Sequence, residues 1–512
     1  MQTDSPHVPA SGSAPVAARL KDADRNAVPQ VETSAYVGGA WVEAHSGDRF
    51  AVTDPATGET IGHVPDMSVA DVDDAVSAAG DALTVWRRMS VLDRGTILRD
   101  WAELMRDSAE GLAITLVREQ GKPIREAVAE IGYAASFLDW FAEEARRSGG
   151  TTIPSALPGR RMLTVREPFG IGAAITPWNF PAAMITRKVA PALAAGNTLV
   201  VKPAEQTPLS ALALARLAER AGLPPGVLNI VTSSRANTPA VGHELSTRPE
   251  IRKLSFTGST AIGALLMSQA SATIKSLSLE LGGNAPFLVF ADANLDLAVE
   301  GLITAKFRNA GQTCISANRI LVADAVYTEF AERLTEQVSR LVVGDGLDPA
   351  TSIGPLIDAA AVAKFDAHVA NAQQRGATLR FGGSAHPRGG NFVIPTVLTD
   401  CPSDADLCNE ETFGPLAAIT PFTDEAEAIT LANATVHGLA GYAYTQNADR
   451  AWRLADALET GMLGLNTAEI GSAAAPFGGV KQSGIGREGS HEGFLDWTEE
   501  KYLCWAINDA DA

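Results

Sequence analysis

Three short strings in this chain carry side chains suited to the covalent oxidation of a carbonyl group. Phe-Arg-Asn-Ala-Gly-Gln-Thr-Cys at 307–314 ends on Cys314, and a thiolate is a strong nucleophile toward a carbonyl carbon. Leu-Glu-Leu-Gly-Gly at 279–283 offers Glu280, a carboxylate that, held apart from the thiol, can activate water to release an acyl group. Pro-Trp-Asn-Phe-Pro at 177–181 adds Asn179, an amide donor of the kind that stabilises an oxyanion. Each residue also has a plainer reading when taken alone. A lone cysteine is commonly a small buried hydrophobe, and a glutamate closing a strand is commonly solvated. An ordinary thiol, with a pKa of about 8.5, is only slightly ionised near neutrality, so chemistry at Cys314 calls for backbone donors or a nearby cation that favours the thiolate.

Regular elements must bring these strings together. From 171 to 281 short apolar runs alternate with helical patterns, as in βαβ units. The expected strands are 171–176, 198–202, 228–232, 253–257 and 275–281. Between the second and third, Thr207 is expected to cap a helix with Pro208 at its first position, and Gly222 to end it. Such crossovers imply a parallel sheet, with ligands at the carboxyl ends of its strands, where Lys202, Gly258 and Ser259 fall. Ser259 opens a helix and presents free backbone donors suited to a pyrophosphate. In the 275–281 strand Ser276, Ser278 and Glu280 alternate with Leu277, Leu279 and Leu281, which puts Glu280 on the polar face. A second α/β region spans about 282–480, with strands expected at 287–290, 320–322, 416–421 and 441–445 and a helix at 301–308 before Cys314. Gly-Ile-Gly-Arg-Glu-Gly at 484–489 fits the dinucleotide glycine fingerprint by letter, but no βαβ unit can follow it so near the chain end.

Composition narrows the class. At 512 residues the chain exceeds one compact core. A net charge of −19 argues against a nucleic-acid surface, which requires clustered Lys and Arg. The four cysteines, Cys314, Cys401, Cys408 and Cys504, lack the close spacing of a zinc knuckle or redox pair, so neither a metal nor a disulfide framework is expected. Residues 1–32 are rich in Ala, Pro and Ser. They lack the apolar core of a signal peptide, and Asp4, Asp22 and Asp24 argue against a transit peptide. A cytoplasmic enzyme with a flexible N-terminal extension, and no membrane partner, is the expectation.

The strings above, together with Val-Lys-Pro-Ala-Glu at 201–205, Phe-Thr-Gly-Ser-Thr at 256–260, Glu-Glu-Thr-Phe-Gly-Pro at 410–415 and Pro-Phe-Gly-Gly-Val-Lys-Gln-Ser-Gly at 476–484, resemble the NAD(P)-dependent aldehyde dehydrogenase superfamily, in its order and over nearly all the chain after about residue 33. The resemblance implies an α/β fold of two doubly wound domains plus a small β oligomerisation element. It divides the chain into a dinucleotide-binding domain at 33–149 and 168–281, a catalytic domain at 282–484, and an oligomerisation element at 150–167 and 485–512, with a homodimer or homotetramer expected. It implies Cys314 as nucleophile, Glu280 as base and Asn179 in the oxyanion site. Thr176, Trp178, Lys202, Glu205, Gly258, Ser259, Glu411 and Phe413 become the cofactor contacts. A carboxylate at 205 accepts both ribose hydroxyls and repels a 2′-phosphate, so NAD is expected, with NADP admitted by a small shift of the ribose.

Met-Ile-Thr-Arg-Lys-Val at 184–189, Lys-Phe-Arg-Asn at 306–309, Gly-Leu-Ala-Gly-Tyr at 438–442 and Gly-Arg-Glu-Gly-Ser at 486–490 look like the succinate-semialdehyde dehydrogenase branch. In that branch Arg187, Arg308 and Ser472 would hold the distal carboxylate of a semialdehyde, and guanidinium forks suit that task. Two departures stand out. Glu469 enters the substrate-loop region, which leaves glutarate semialdehyde or an uncharged aldehyde as alternatives. Ser316 replaces the second cysteine that allows some relatives a regulatory disulfide. The rival class, a cysteine hydrolase, needs a histidine base, and none of the eight histidines lies near Cys314 in sequence.

Overall fold

The structure is a computed structural model that describes residues 32–507, so nearly all of the expected N-terminal extension lies outside the described residues. An eight-stranded sheet runs in the order Ala40–Val42, Ala35–Val37, Leu228–Ile230, Thr198–Lys202, Ile171–Ile175, Ile251–Thr257, Ser276–Glu280 and Gly484–Ile485. Its central strands are parallel, as the alternation of strand and helix patterns requires. Both edges are antiparallel: the 35–42 hairpin closes one side and Gly484–Ile485 the other. The sequence Gly-Ile-Gly-Arg-Glu-Gly therefore starts as an edge strand paired with Glu280, and no nucleotide fingerprint is built there.

A second, seven-stranded sheet has the order Thr378–Phe381, Thr396–Thr399, Leu416–Phe422, Ala317–Ala323, Ala285–Val289, Ala440–Tyr444 and Met462–Leu465. Thr498–Ala506 pairs antiparallel with Arg160–Pro168 over its whole length, and Thr152–Ile153 completes a small third sheet. Tyr502, Leu503 and Trp505 on this sheet face outward.

Two helices matter most for the site. Ile124–Glu144 buries Ala127, Ile131, Ala134, Phe137, Leu138 and Phe141, a stripe at helical spacing. Ala183–Ala195 is buried on every side, although Arg187 and Lys188 lie within it. A helix that is apolar nearly all round belongs in a core, and its two cations then need internal partners.

The Pro208–Arg220 helix begins where expected, but Thr207 does not cap it. The Thr207 hydroxyl is buried without a hydrogen-bond partner, and the carboxylate of Glu119, from the Ala109–Gln120 helix, accepts the Leu209 and Ser210 N–H groups at 2.8 and 2.9 Å. A cap supplied from a distant helix leaves no mark beside the helix it caps. Glu119→Ala removes both acceptors from a buried helix end and should lower stability by about 1–2 kcal/mol, read as an earlier urea midpoint.

Candidate active site

A cavity of about 620 Å³ opens between the two large sheets and is walled by Asn179, Arg187, Arg308, Cys314, Glu411 and Phe413. Cys314 sits between the Leu295–Phe307 helix and the Ala317–Ala323 strand. The helix cannot run into it directly. Asn309, Ala310 and Gly311 turn left-handed in succession, with φ of 53°, 55° and 73°. A Cβ on Gly311 would meet the Gly414 carbonyl at 2.3 Å. Glu126 accepts the Asn309 N–H at 2.7 Å, and Gln120 Nε2 donates to Asn309 Oδ1 at 2.9 Å, so side chains from the first sheet's helices hold a turn that local propensity disfavours. Gly283 is equally constrained: a Cβ there would stand 2.2 Å from the Cys314 carbonyl oxygen.

The thiol is reached from the cavity yet enclosed by protein. Burial pushes the Cys314 thiol up to about 12, with Arg187 opposing and Glu411 and Glu280 adding to the rise. The expected cation and backbone donor are both present, Arg187 and the Cys314 backbone N–H, and burial outweighs them. Glu280 is buried rather than solvated, which sets aside the plainer reading of a strand-end glutamate. The Ser276–Glu280 strand lies between two neighbours, and the Glu280 carboxyl is buried with neither oxygen hydrogen-bonded. Burial, then the charge of Glu488, raises its pKa well above the ordinary carboxylate range. Burial would raise Glu488 as well, but Lys188 and Arg187 outweigh it and keep Glu488 ionised. Glu488 Oε2 lies 3.1 Å from Arg187 Nη2, and Lys188 Nζ donates to Glu488 Oε1.

Asn179 is buried, and its side-chain amide donates to the Gln312 carbonyl at 3.0 Å. Its own carbonyl accepts from Lys122 Nζ at 2.8 Å and from Asn309 Nδ2 at 2.9 Å. Lys122 in turn pairs with Glu130 at 2.6 Å, both fully buried.

The two arginines differ in setting. Arg187 is buried and stacks on Phe477 at 3.8 Å from the ring centroid. Its Nε and Nη2 make no hydrogen bonds, the approach of Nη2 to Glu488 being an ion pair without hydrogen-bond alignment. Arg308 is exposed to the cavity, and no carboxylate lies within ion-pair distance of it among the described residues. Ser472 is not brought to this cavity. It is exposed beside a separate groove, where its hydroxyl accepts the Ala474 N–H at 3.3 Å. Tyr133 and Gly471 border both spaces. Glu469 does line the cavity and is exposed.

The dinucleotide side is set at the strand ends. Ser259 caps the Thr260–Ala270 helix by accepting the Ile262 N–H, so the helix opens toward Gly258 and the cavity. The Thr257 hydroxyl is buried with no partner. Lys202 is buried, donates to the Pro203 carbonyl at 3.0 Å and lies 3.9 Å from Glu205; burial lowers its pKa to about 8. The Thr176 N–H is taken up by the Lys202 carbonyl at the same edge. Trp178 and Phe413 meet edge to face at 5.5 Å, and a Cβ on Gly282 would approach Glu411 Oε2 to 3.1 Å. The unpartnered Thr257 hydroxyl, the helix start at Ser259 and the glycine at 282 fit an NAD(P) molecule at these strand ends.

A parallel sheet with open strand ends beside a cavity that holds Cys314, with the buried carboxyl of Glu280 behind its wall, is an arrangement suited to a cofactor-linked dehydrogenase. Residues 41–503 match the aldehyde dehydrogenase family. The chain is 54% identical over 470 residues to the NADP-dependent succinate-semialdehyde dehydrogenase of Escherichia coli, covering 92% of this chain and 97% of that one. It is 54% identical over 473 residues to a glutarate-semialdehyde dehydrogenase of Pseudomonas putida, covering 92% and 98%. The crystal structure of a succinate-semialdehyde dehydrogenase from Burkholderia pseudomallei superposes with a TM-score of 0.92 at 53% identity, covering 93% and 98%. The chain belongs to the aldehyde dehydrogenase family, and its reaction is the NAD(P)-dependent oxidation of an aldehyde.

Sequence reasoning missed Lys122, Glu126, Glu130 and Lys188, and quoted Glu488 without giving it a role. The available signal was charge placed on apolar helix faces. Glu126 and Glu130 are four residues apart on one helix, and Lys188 falls inside a helix with no polar face.

Proposed function

We propose that this enzyme oxidises a dicarboxylic semialdehyde, succinate semialdehyde to succinate first and glutarate semialdehyde second, and that Arg187 and Arg308 bind the distal carboxylate. The observation that carries the reading is the state of Arg187. Two of its guanidinium nitrogens are buried without hydrogen bonds at the wall of the cavity that contains Cys314. Glu488 answers the charge of Arg187 but leaves Nε and Nη2 without aligned acceptors, and a substrate carboxylate can supply them. Glu469 at the same wall favours the second reading, an uncharged aldehyde.

In the proposed mechanism Cys314 gives up its thiol proton to solvent and the thiolate adds to the aldehyde carbon, while the Asn179 amide and the Cys314 backbone N–H hold the oxyanion. Oxidised NAD(P), when bound, would accept the hydride from that carbon, which would leave a thioester on Cys314. Glu280 then takes a proton from water, the resulting hydroxide attacks the thioester carbon, and the acid leaves as the thiol is restored. Lys202 and Glu205 would hold the adenosine ribose, Thr176, Trp178, Gly258 and Ser259 would line the pyrophosphate region, and Glu411 with Phe413 would hold the nicotinamide ribose. Glu205 favours NAD through its clash with a 2′-phosphate.

We assign 33–149 and 168–281 to the dinucleotide-binding unit, 282–484 to the catalytic unit, and 150–167 with 485–512 to a surface for homodimer or homotetramer assembly. The outward Tyr502, Leu503 and Trp505 support the last assignment. Free thiols at Cys314, Cys401, Cys408 and Cys504 support a reducing, cytoplasmic setting. Among the described residues no helix is long and apolar enough to cross a membrane.

Arg308→Ala tests the clamp. The KM for succinate semialdehyde should rise about ten- to a hundred-fold, the worth of one charge-assisted hydrogen bond, with little change for butanal. Equal changes for both substrates would remove the clamp.

A further inference from the structure

We propose that the buried Lys122–Glu130 pair is a positioning and specificity element that fixes the span between the oxyanion end and the carboxylate end of the substrate site. The inference rests on the semialdehyde reading above for its second half only. Lys122 Nζ bonds the Asn179 carbonyl at 2.8 Å and Glu130 Oε2 at 2.6 Å. Through its other oxygen Glu130 accepts the Ala182 and Ala183 N–H groups, at 3.0 and 3.3 Å, where the Ala183–Ala195 helix begins. Arg187 lies four residues beyond Ala183, one turn along that helix. One ion pair therefore joins the peptide that carries the oxyanion amide to the helix that carries the arginine. Lys122 is further seated against Phe180, 3.8 Å from its ring centroid, and Glu130 itself borders the cavity.

A merely stabilising role explains this arrangement poorly. Buried ion pairs contribute little net stability compared with uncharged replacements. Here both members spend their bonds on backbone groups of the two anchoring segments. Small displacements of such anchors matter, because a 1 Å misplacement can cost about a hundred-fold in rate.

The test uses K122M/E130Q in the full chain. The Glu130→Gln change keeps a carbonyl acceptor for the Ala182 and Ala183 N–H groups, and Glu126, which loses the charge of Lys122, keeps those of Arg308 and Arg125, so the variant should fold, which a cooperative urea transition checks. Wild-type rates on succinate semialdehyde and butanal come first, since they test the semialdehyde reading independently. In the variant, kcat on butanal should fall about ten-fold from the loosened Asn179, and the kcat/KM preference for succinate semialdehyde over butanal should fall about ten-fold more. In an Asn179→Ala background the same pair of changes should lower kcat on butanal less than about two-fold, as expected of coupled sites, whereas a general structural role would lower it as much as before. An unchanged butanal kcat, or full additivity with Asn179→Ala, overturns the positioning role. A lowered kcat with unchanged substrate preference overturns the specificity role.

Discussion

Glu280→Gln should give at most about one equivalent of NADH per active site and then stop, because the amide cannot take a proton from the hydrolytic water. Loss of a general base commonly costs about 10²–10⁴-fold, and here it should fall on the second half of the reaction alone. The geometry explains why this carboxyl suits the task. Both of its oxygens are buried and unbonded, so a proton is exchanged with water or substrate and not shared with a fixed partner. Burial and the neighbouring Glu488 raise its pKa, so the base form gains population as pH rises through that raised value. Turnover limited by hydrolysis should accordingly climb with pH above the ordinary carboxylate range, and the variant should lose that limb. Near-normal steady-state turnover by rapid-quench and stopped-flow measurement would remove Glu280 from the role of base.

Cys314→Ala should abolish oxidation, by about 10⁵-fold or more, since among the described residues no second thiol stands in the cavity wall to replace it. NAD(P) binding should persist, because Lys202, Ser259 and Glu411 are untouched, and fluorescence titration with the cofactor checks this. The thiol of the wild-type enzyme is held protonated by burial, up to about 12, so acylation also rises with pH. Arg187 opposes the effect of burial on Cys314, which gives that arginine an influence at the thiol beside its proposed role at the substrate.

The chemistry was legible where function leaves a compact string. Cys314, Glu280 and Asn179 lie in short motifs, and the structure brings Cys314 and Asn179 to one cavity, with Glu280 buried close enough to Cys314 to raise its pKa. The parallel strands were readable because buried strands show continuous apolar runs between helical patterns. Edge features were less so. Gly484–Ile485 joins the first sheet from about two hundred residues away, and two residues carry no strand pattern. The Thr207 cap failed because it was judged by its sequence neighbours, whereas Glu119 caps from another helix; the extent of burial at Cys314 and Glu280 is likewise set by distant segments and leaves no mark beside them. The Asn309–Gly311 left-handed turn was hidden for the same reason, since Glu126 and Gln120 hold it from elsewhere. Ser472 was placed by resemblance, and the structure sets it beside the neighbouring groove.

Selection of an acidic aldehyde by Arg187 and Arg308 is read from kcat/KM for nicotinamide reduction by the purified protein with succinate semialdehyde, glutarate semialdehyde and butanal, each with NAD and with NADP. A preference for succinate semialdehyde over butanal of about a hundred-fold, the worth of charge-assisted hydrogen bonds from Arg187 and Arg308 to the substrate carboxylate, with NAD ahead of NADP, is the predicted result. Equal or higher kcat/KM with butanal would contradict it, leaving Arg187 as a partner of Glu488 and giving Glu469 the selection of substrate.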